Sequence, residues 1–273
     1  MKIVCVVDNQ AIEETGLLTE HGLAFWIETD HGNVLFDTGQ SEKVLFQNLE
    51  GLNLSVHAIN QLVLSHSHYD HTGGLAAVLQ KNPNVTLHAH SNLFTPRYSY
   101  KNGEYRQIGL TSNKIDLSEI RTKLTDQSYE ILPGLWSTGE IRERSELEGR
   151  SKHHFIRNDT GWMPDPYLDD LSLVAQTTEG LVVICGCCHA GLLNTLYHVR
   201  NMFSMPITTV IGGVHLVSAD EQSLKHIIGV LSSEFPKLTY YLNHCTGQAA
   251  FEKMVQTFGD RVKTCPAGTV IEL

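Results

Sequence analysis

The stretch Leu64-Ser65-His66-Ser67-His68-Tyr69-Asp70-His71 places four side chains of the metal-ligand type within six residues. It follows the apolar run 59–64, which predicts a buried strand, and it precedes a segment with helical spacing at 72–79. Side chains alternate along extended backbone, so His66 and His68 point the same way. Asp70 and His71 then enter the helix and face the other side of one cavity. The pattern predicts a site that can hold two metal ions.

One segment cannot complete two coordination spheres, because each ion needs about four ligands. Three later apolar runs, at 181–185, 208–211 and 238–242, are each followed directly by ligand-type side chains. We expect the histidines there, His189 and His244, to complete the ligand set. His215 either lines the pocket or donates a proton to a leaving group.

Composition restricts the class of protein. The chain has 273 residues, of which 41% are hydrophobic and 18% charged, so it can bury a sizeable core as a single domain spanning 1–273. Its net charge of −10 disfavours nucleic acid and anionic membranes as partners. No apolar run reaches the length of a membrane span, and the N-terminus does not read as a secretion signal. We therefore expect a cytoplasmic protein whose six cysteines are reduced.

Residues 95–165 differ from the rest of the chain, being weakly periodic and rich in Arg, Lys and Tyr. We interpret them as an excursion from the core that covers the active site and selects the substrate. Aromatic faces can stack on a flat substrate, and cationic groups can pair with phosphate. The alternatives are that the aromatics pack the excursion and the charges are solvated. The side chains concerned are Tyr98, Tyr100, Tyr105, Trp136, Phe155 and Trp162, with Arg97, Arg106, Arg142, Arg144, Arg150 and Lys152.

The order of predicted elements indicates an α/β protein. The sequence has two strand-rich halves, and helices follow the strands in each. This order is typical of two sheets packed as a sandwich with helices outside. The sequence contains no Gly-x-Ser-x-Gly elbow and no phosphate-binding P-loop, so nucleophilic serine enzymes and P-loop enzymes are disfavoured.

With these motifs, the sequence resembles the metallo-β-lactamase superfamily, through His66 to His71 and the preceding Phe36-Asp37-Thr38-Gly39. It is similar to a narrower group that includes 7,8-dihydropterin-6-yl-methyl-4-(β-D-ribofuranosyl)aminobenzene 5′-phosphate synthase. The resemblance implies an αβ/βα four-layer sandwich with a dinuclear site. The motifs of the narrower group are His21-Gly22-Leu23-Ala24, Thr138-Gly139-Glu140-Ile141-Arg142, Asp169-Asp170-Leu171-Ser172-Leu173, Cys187-Cys188-His189-Ala190-Gly191, Gly212-Gly213-Val214-His215-Leu216 and His244-Cys245-Thr246-Gly247.

The resemblance also implies a ligand set. One ion would take His66, His68 and His189, and the other Asp70, His71 and His244. The superfamily commonly has a bridging Asp after the strand that corresponds to 181–185, whereas here Gly186 is followed by Cys187. Either Cys187 approaches the metals, or it is a small buried residue and only water bridges them.

Three aspartates outside this ligand set have alternative roles. Asp37 either forms a hydrogen bond that orients a ligand histidine, or it has a local role in a turn or helix cap. Asp169 or Asp170 binds metal, orients His189, or lies in a solvated turn.

We expect two divalent metal ions, with Zn as the first candidate and Mn or Fe as alternatives, since imidazole and carboxylate ligands suit all three. The predicted function is hydrolysis of a small phosphorylated or phosphodiester substrate by a metal-bound hydroxide. Asp70 would bind metal and steer a proton, and His215 would donate one.

Two other functions compete with hydrolysis. The first alternative is a transferase of the synthase type named above, acting on a pterin-containing molecule. The second alternative is a metal-binding sensor without turnover. The sequence leaves the oligomeric state open.

Overall fold

The computed structural model describes residues 1–110 and 115–273. The chain forms two compact units. The first unit comprises Met1–Asp126, Arg150–Asp169 and Pro266–Leu273, and the second comprises Gln127–Gly149 and Asp170–Cys265. None of the six cysteines forms a disulfide among these residues, and all six are buried. No helix within the described part of the chain is both long and apolar enough to cross a membrane.

The first unit contains a mixed sheet of seven strands. The strands are β1 (Lys2–Val7), β2 (Ala24–Thr29), β3 (Gly32–Phe36), β4 (Ile59–Val63), β5 (Thr86–Ala89), β8 (Arg121–Leu124) and β18 (Val270–Glu272). Their order is β18-β1-β2-β3-β4-β5-β8. The hairpin β2–β3 is antiparallel, whereas β3, β4, β5 and β8 are parallel. The parallel strands therefore end at one edge of the sheet, where ligands can be placed by successive loops.

Three helices accompany this sheet: α1 (Glu42–Gly51), α2 (Tyr69–Thr72) and α3 (Leu75–Lys81). The hydroxyl of Ser41 caps α1 by accepting from the backbone N–H of Val44. A 3₁₀ turn at Val56–Ala58 leads into β4. Apolar residues of α1 and α3 pack on β1 and β4, and these include Leu45, Leu49 and Val78.

A second, smaller sheet also belongs to the first unit. Its strands are β6 (Arg97–Lys101), β7 (Glu104–Gln107), β11 (His154–Asn158) and β12 (Gly161–Pro164). All pairings are antiparallel, in the order β12-β11-β6-β7.

The second unit has its own sheet of seven strands and three helices. The elements are β9 (Tyr129–Leu132), β10 (Leu135–Ser137), β13 (Ser172–Gln176), β14 (Leu181–Cys185), α4 (Leu192–Met202), β15 (Ile207–Gly212), α5 (Glu221–Glu234), β16 (Thr239–Leu242), α6 (Gln248–Phe258) and β17 (Val262–Thr264). The order is β17-β16-β15-β14-β13-β10-β9. Strands β14 to β17 run parallel, so the ligand-type residues after β14, β15 and β16 leave the same edge of this sheet.

The strands of segment 95–165 belong to three sheets. β8 joins the first large sheet, and β9 and β10 join the sheet of the second unit. Only β6, β7, β11 and β12 form a separate sheet, and residues 111–114 lie outside the described residues. The strand β17 was not predicted at all.

The predicted helix at 72–79 is in fact two helices, interrupted at Gly73 and Gly74. A Cβ built on Gly73 would collide with the backbone carbonyl of Gln40, and one on Gly74 would approach the carbonyl of Thr38 at 2.7 Å. These glycines therefore let the helical segment lie directly against the backbone that follows β3. That close approach fixes the residues just before Gly73, including Asp70 and His71.

We predict that Gly73→Ala destabilises the protein by about 1–3 kcal/mol, because the collision is with backbone that cannot move away cheaply. Gly229→Ala is the matched control, since Gly229 lies in α5 with nothing within 4 Å of its Cβ position. There, alanine should stabilise by about 0.5–1 kcal/mol through helix propensity. Urea unfolding followed by circular dichroism measures both. Equal stability of the two variants would contradict the role of Gly73.

Candidate metal centre

Three buried histidines of the motif gather at the end of β4. The Nε2 atom of His66 lies 3.0 Å from Nδ1 of His68. The ring centroid of His66 is 4.6 Å from that of His68 and 4.2 Å from that of His71. Two imidazole nitrogens bound to one tetrahedral zinc lie about 3.3 Å apart, given Zn–N bonds of about 2.0–2.1 Å. The His66–His68 pair therefore approaches the spacing of two ligands of one ion.

The carboxylate of Asp37 organises this loop. It accepts three hydrogen bonds, each 2.7 Å long, from the backbone N–H of Ser65, the hydroxyl of Ser65 and Nδ1 of His71. All three residues are fully buried. The prediction that Asp37 braces a histidine of the motif is confirmed. Asp37 itself has φ +62°, a backbone conformation that non-glycine residues rarely adopt.

These hydrogen bonds also select the tautomers. Nδ1 of His71 donates to Asp37, so in the neutral ring Nε2 carries the lone pair. The Ser65 hydroxyl donates to Asp37 and so accepts, at 2.9 Å, from Nδ1 of His66. Nε2 of His66 then carries the lone pair as well. Both rings thus present the nitrogen that a metal requires.

His68 is held as a neutral imidazole. Burial lowers its pKa well below 6.5, and this outweighs the neighbouring Asp70 carboxylate, which acts in the opposite direction. A metal ligand must be unprotonated, so this environment suits coordination at neutral pH.

Arg97 has a structural role that the sequence did not reveal. Its guanidinium is 2% exposed and pairs with Asp169 at 2.6 Å and with Asp165 at 3.2 Å. It also donates to the hydroxyl of Ser67 at 2.7 Å, while Asp169 accepts from the backbone N–H of Ser67 at 2.9 Å. Ser67 lies between His66 and His68, so this buried network fixes the backbone that carries both. The phosphate-binding role suggested for Arg97 is wrong, and Asp169 braces the loop.

Asp70 contacts a histidine that the site prediction missed. One carboxylate oxygen of Asp70 lies 3.2 Å from Nε2 of His21 and 3.8 Å from Nε2 of His71. The chain at His21 is held close because Leu23 donates to the carbonyl of Asp70 and because Gly22 leaves no room there for a side chain. The motif His21-Gly22-Leu23-Ala24 was the available signal, but one exposed histidine far from the main cluster could not be assigned.

The second unit gathers its own ligand-type side chains at the ends of β14, β15 and β16. Ligand atoms of Cys187, His189 and His215 all lie within 4.8 Å of one another, and so do those of Cys187, His244 and Cys245. The ring centroids of His189 and His215 are 4.3 Å apart. The structure therefore brings together His189, predicted as a ligand, and His215, predicted as a proton donor. It also places Cys187 beside both predicted histidine ligands of this unit.

Backbone contacts position these side chains. Nδ1 of His189 donates to the carbonyl of Gly149 at 2.7 Å, so Nε2 is the nitrogen that would coordinate a metal ion. Asp170 accepts from the backbone N–H of Ala190 at 2.8 Å and so holds the turn that carries His189. His215 and His244 have φ values of +41° and +49°. Such strained backbone persists where surrounding structure imposes it, and it clusters at functional sites.

The thiol of Cys245 lies in a polar setting despite its burial. Burial alone would raise its pKa. Hydrogen bonding with Cys187 and His215 and the nearby charges of His215 and His244 act in the opposite direction and hold the pKa well below 9. A thiolate is the form of cysteine that binds metal.

The donor set of each unit fits divalent metal ions. The first unit supplies imidazoles with selected tautomers and the Asp70 carboxylate, and the second supplies imidazoles and thiols. Imidazole, carboxylate and thiolate are the ligands that zinc takes in proteins.

The aromatic residues of the small sheet pack mainly on one another. The rings of Tyr105 and Trp162 stack with centroids 3.6 Å apart, and those of Tyr98 and Trp162 meet edge to face at 4.9 Å. Tyr100 and Phe155 also contact Tyr105. Trp136 belongs to the second unit and packs on Phe203 there. This arrangement favours the packing role over substrate stacking for most of these side chains.

We predict that Arg97→Met destabilises the protein by about 3–5 kcal/mol, because it leaves the buried carboxylates of Asp165 and Asp169 without their cation. Binding of zinc should weaken as well, since Ser67 loses its support. Arg106→Met, at an exposed position of β7, should change neither property. Chemical unfolding and zinc titration measure the two effects. Unchanged zinc affinity in a folded Arg97→Met protein would show that the network does not serve the histidine loop.

Comparisons with known proteins agree with this geometry. The metallo-beta-lactamase superfamily model matches residues 19–163. The chain is 27% identical over 285 residues to the 7,8-dihydropterin-6-methyl-4-(beta-D-ribofuranosyl)-aminobenzene-5'-phosphate synthase of Methanocaldococcus jannaschii, with 100% of this chain and 96% of that protein covered.

Solved structures of metallo-beta-lactamase-fold proteins are also similar to this chain. The crystal structure of Tm1679, a metal-dependent hydrolase of the beta-lactamase superfamily, matches with 27% identity and a TM-score of 0.85, covering 100% of this chain and 99% of that one. YhfI from Bacillus subtilis, at 12% identity and a TM-score of 0.60 with 99% of each chain covered, shares the fold alone. The predicted metallo-beta-lactamase fold is confirmed. The chain belongs to the metallo-beta-lactamase superfamily.

Proposed function

We propose that the protein is a dinuclear metal-dependent hydrolase of a small phosphorylated or phosphodiester substrate. His66, His68 and His189 would hold one ion, and Asp70, His71 and His244 the other. The observation that carries this proposal is the grouping of oriented imidazole donors in each unit, at the ends of parallel strands. Zinc is the first candidate metal, with manganese and iron as alternatives.

When bound, the two ions would supply Lewis acidity that makes water a nucleophile at neutral pH and stabilises negative charge on the reacting phosphorus or carbonyl group. The chain's own residues supply position and protons. Asp37 and the Arg97 network hold the histidines of the first unit in place. Asp70, whose carboxylate contacts His21, can accept a proton from the attacking group.

His215 is the proposed proton donor to the leaving group. Its ring lies against His189, so it belongs to the same part of the site. Gly149 packs against the base of this side chain, since a Cβ there would come within 2.7 Å of the His215 Cβ. Loss of this donor should lower kcat most for substrates with poor leaving groups.

A cavity of about 490 Å³ in the first unit supports a small anionic substrate. It is lined by Ser99, Tyr100, Lys101, Asn102, Ser151, His153 and His154. The ring of His154 lies 5.2 Å from that of His68, so this cavity adjoins a proposed ligand. Lys101 would supply the positive charge that pairs with phosphate in an otherwise acidic protein.

The second candidate function is a transferase of the synthase type, in which an amine replaces water as the attacking group. Full-length similarity to the Methanocaldococcus jannaschii synthase favours it. A metal-binding sensor without turnover is a weaker alternative, because a non-catalytic relative would not need every one of the six proposed ligands. The substrate of the synthase type would be a pterin carrying a diphosphate leaving group.

Product analysis separates these functions. The zinc-loaded protein is incubated with phosphodiesters, phosphomonoesters, lactones, and a pterin diphosphate with and without an aniline-type acceptor. Hydrolysis products in the absence of acceptor support the hydrolase. A carbon–nitrogen adduct formed only with the acceptor supports the synthase type. Absence of turnover on every substrate, with metal bound, would favour the sensor.

We predict that His68→Ala abolishes activity, because it removes a ligand, while most of the secondary structure remains. The apolar cores of both units do not include this side chain. His31→Ala, at the exposed β2–β3 turn, should keep full activity. Activity assays with circular dichroism and metal analysis test the pair. Retained activity in His68→Ala would contradict the ligand role, and a collapse of the far-ultraviolet spectrum would make the site structural.

We predict that Lys101→Ala raises KM for a phosphorylated substrate about 10-fold with kcat and metal content unchanged, as expected for loss of one charge-assisted hydrogen bond. Lys43→Ala, at an exposed position of α1, is the matched control and should leave KM unchanged. Steady-state kinetics measure both variants. An identical KM in the two would remove the cavity from substrate binding.

A further inference from the structure

Cys187 lies between the other ligand-type side chains of the second unit. It follows β14 by one residue, Gly186, and is 3% exposed. Its sulfur belongs to both sets described above, one with His189 and His215 and the other with His244 and Cys245. Within the described residues of the second unit, it is the one side chain that the two sets share.

This sharing has a direct consequence for coordination. Under the proposed function, on which this inference rests, His189 and His244 bind different ions. A sulfur within 4.8 Å of a nitrogen of each histidine can therefore reach both ions. We propose that the Cys187 thiolate bridges the two metal ions. It takes the place at which the superfamily commonly has a bridging carboxylate.

The backbone around Cys187 is built to keep the neighbouring strand ends close together. A Cβ on Gly212 would collide with the carbonyl of Cys185, and a Cβ on Gly213 would meet Sγ of Cys245 at 2.6 Å. Gly213 also donates a hydrogen bond of 3.1 Å to the carbonyl of Gly186. The ends of β14 and β15 and the loop after β16 are thus pressed together at Cys187.

Cys245 is the competing thiol, but its contacts differ. Its Sγ donates to the carbonyl of Cys187 at 3.5 Å, and it shares a set with His244 and not with His189. The proposed ligand that it is grouped with, His244, belongs to one ion only. A bridging role therefore falls to Cys187.

The binding step is simple acid–base chemistry. The thiol loses its proton to solvent, and the sulfur forms two bonds to divalent ions, with no change of oxidation state. A soft thiolate bridge would favour Zn, Co or Fe over Mn. Of the three candidate metals that imidazole and carboxylate ligands leave open, the bridge would then disfavour manganese.

Cobalt substitution tests the bridge. The protein, freed of metal and reloaded with Co²⁺, should bind two equivalents and show a thiolate-to-cobalt charge-transfer band. Cys187→Ser should lose this band and bind the second equivalent at least tenfold more weakly. Cys187→Asp should restore two tightly bound equivalents without the band. Cys265→Ser, a buried thiol of the same unit outside both sets, should behave as the wild type.

Failure of the bridge and failure of the proposed function give different results in this experiment. A band that persists in Cys187→Ser, or that is lost only in Cys245→Ser, overturns the bridge while the metal centre stands. Failure of the wild type to bind cobalt overturns the proposed function itself. If the Cys187 variants do not fold, X-ray absorption of the zinc-loaded Cys245→Ser protein, which retains Cys187, decides. A sulfur neighbour at about 2.3 Å from zinc is expected, and nitrogen and oxygen neighbours alone would refute the bridge.

Discussion

A single buried carboxylate, Asp37, holds the first half of the candidate centre together. It sits where β3 ends and accepts from the backbone and hydroxyl of Ser65 and from His71. A buried charge is stable only when its hydrogen-bonding capacity is satisfied, and these three donors satisfy it. The same bonds fix the end of β4 and orient the rings of His66 and His71, the first proposed for one ion and the second for the other.

The second unit positions its histidines with backbone groups as well as with a carboxylate, that of Asp170. The carbonyl of Gly149 orients His189, and positive φ angles aim His215 and His244. Parallel strands explain why residues so far apart in sequence share one edge of the sheet. A site made from successive strand ends also allows one ligand type to be exchanged for another, as proposed for Cys187, without altering the strands beneath it.

The sequence predicted the strand-end histidines and most elements because both depend on local pattern. Short apolar runs identify buried strands, and ligand-type residues after them stand out against an apolar background. The role of Arg97 was mispredicted because it depends on contacts that are distant in sequence. Its partners Asp165 and Asp169 lie about 70 residues away. In the sequence, a lone arginine in a polar segment resembles a surface charge. Its burial depends on pairing between distant segments.

Other features escaped prediction for similar reasons. The break at Gly73 depends on the backbone of Gln40, and the aromatic cluster depends on which strands pair in the small sheet. His21 reaches Asp70 only through tertiary contact. Cys187 could be read either as a small apolar residue or as a ligand, and its position among His189, His215, His244 and Cys245 supports the ligand role proposed for it.

The most direct measurement is a crystal structure of the metal-replete protein with anomalous scattering data at the zinc edge, combined with metal analysis of the same sample. Two ions per chain are expected, one bound by His66, His68 and His189 and the other by Asp70, His71 and His244. No more than one equivalent under metal-replete conditions, or ions bound at other residues, would contradict a dinuclear centre.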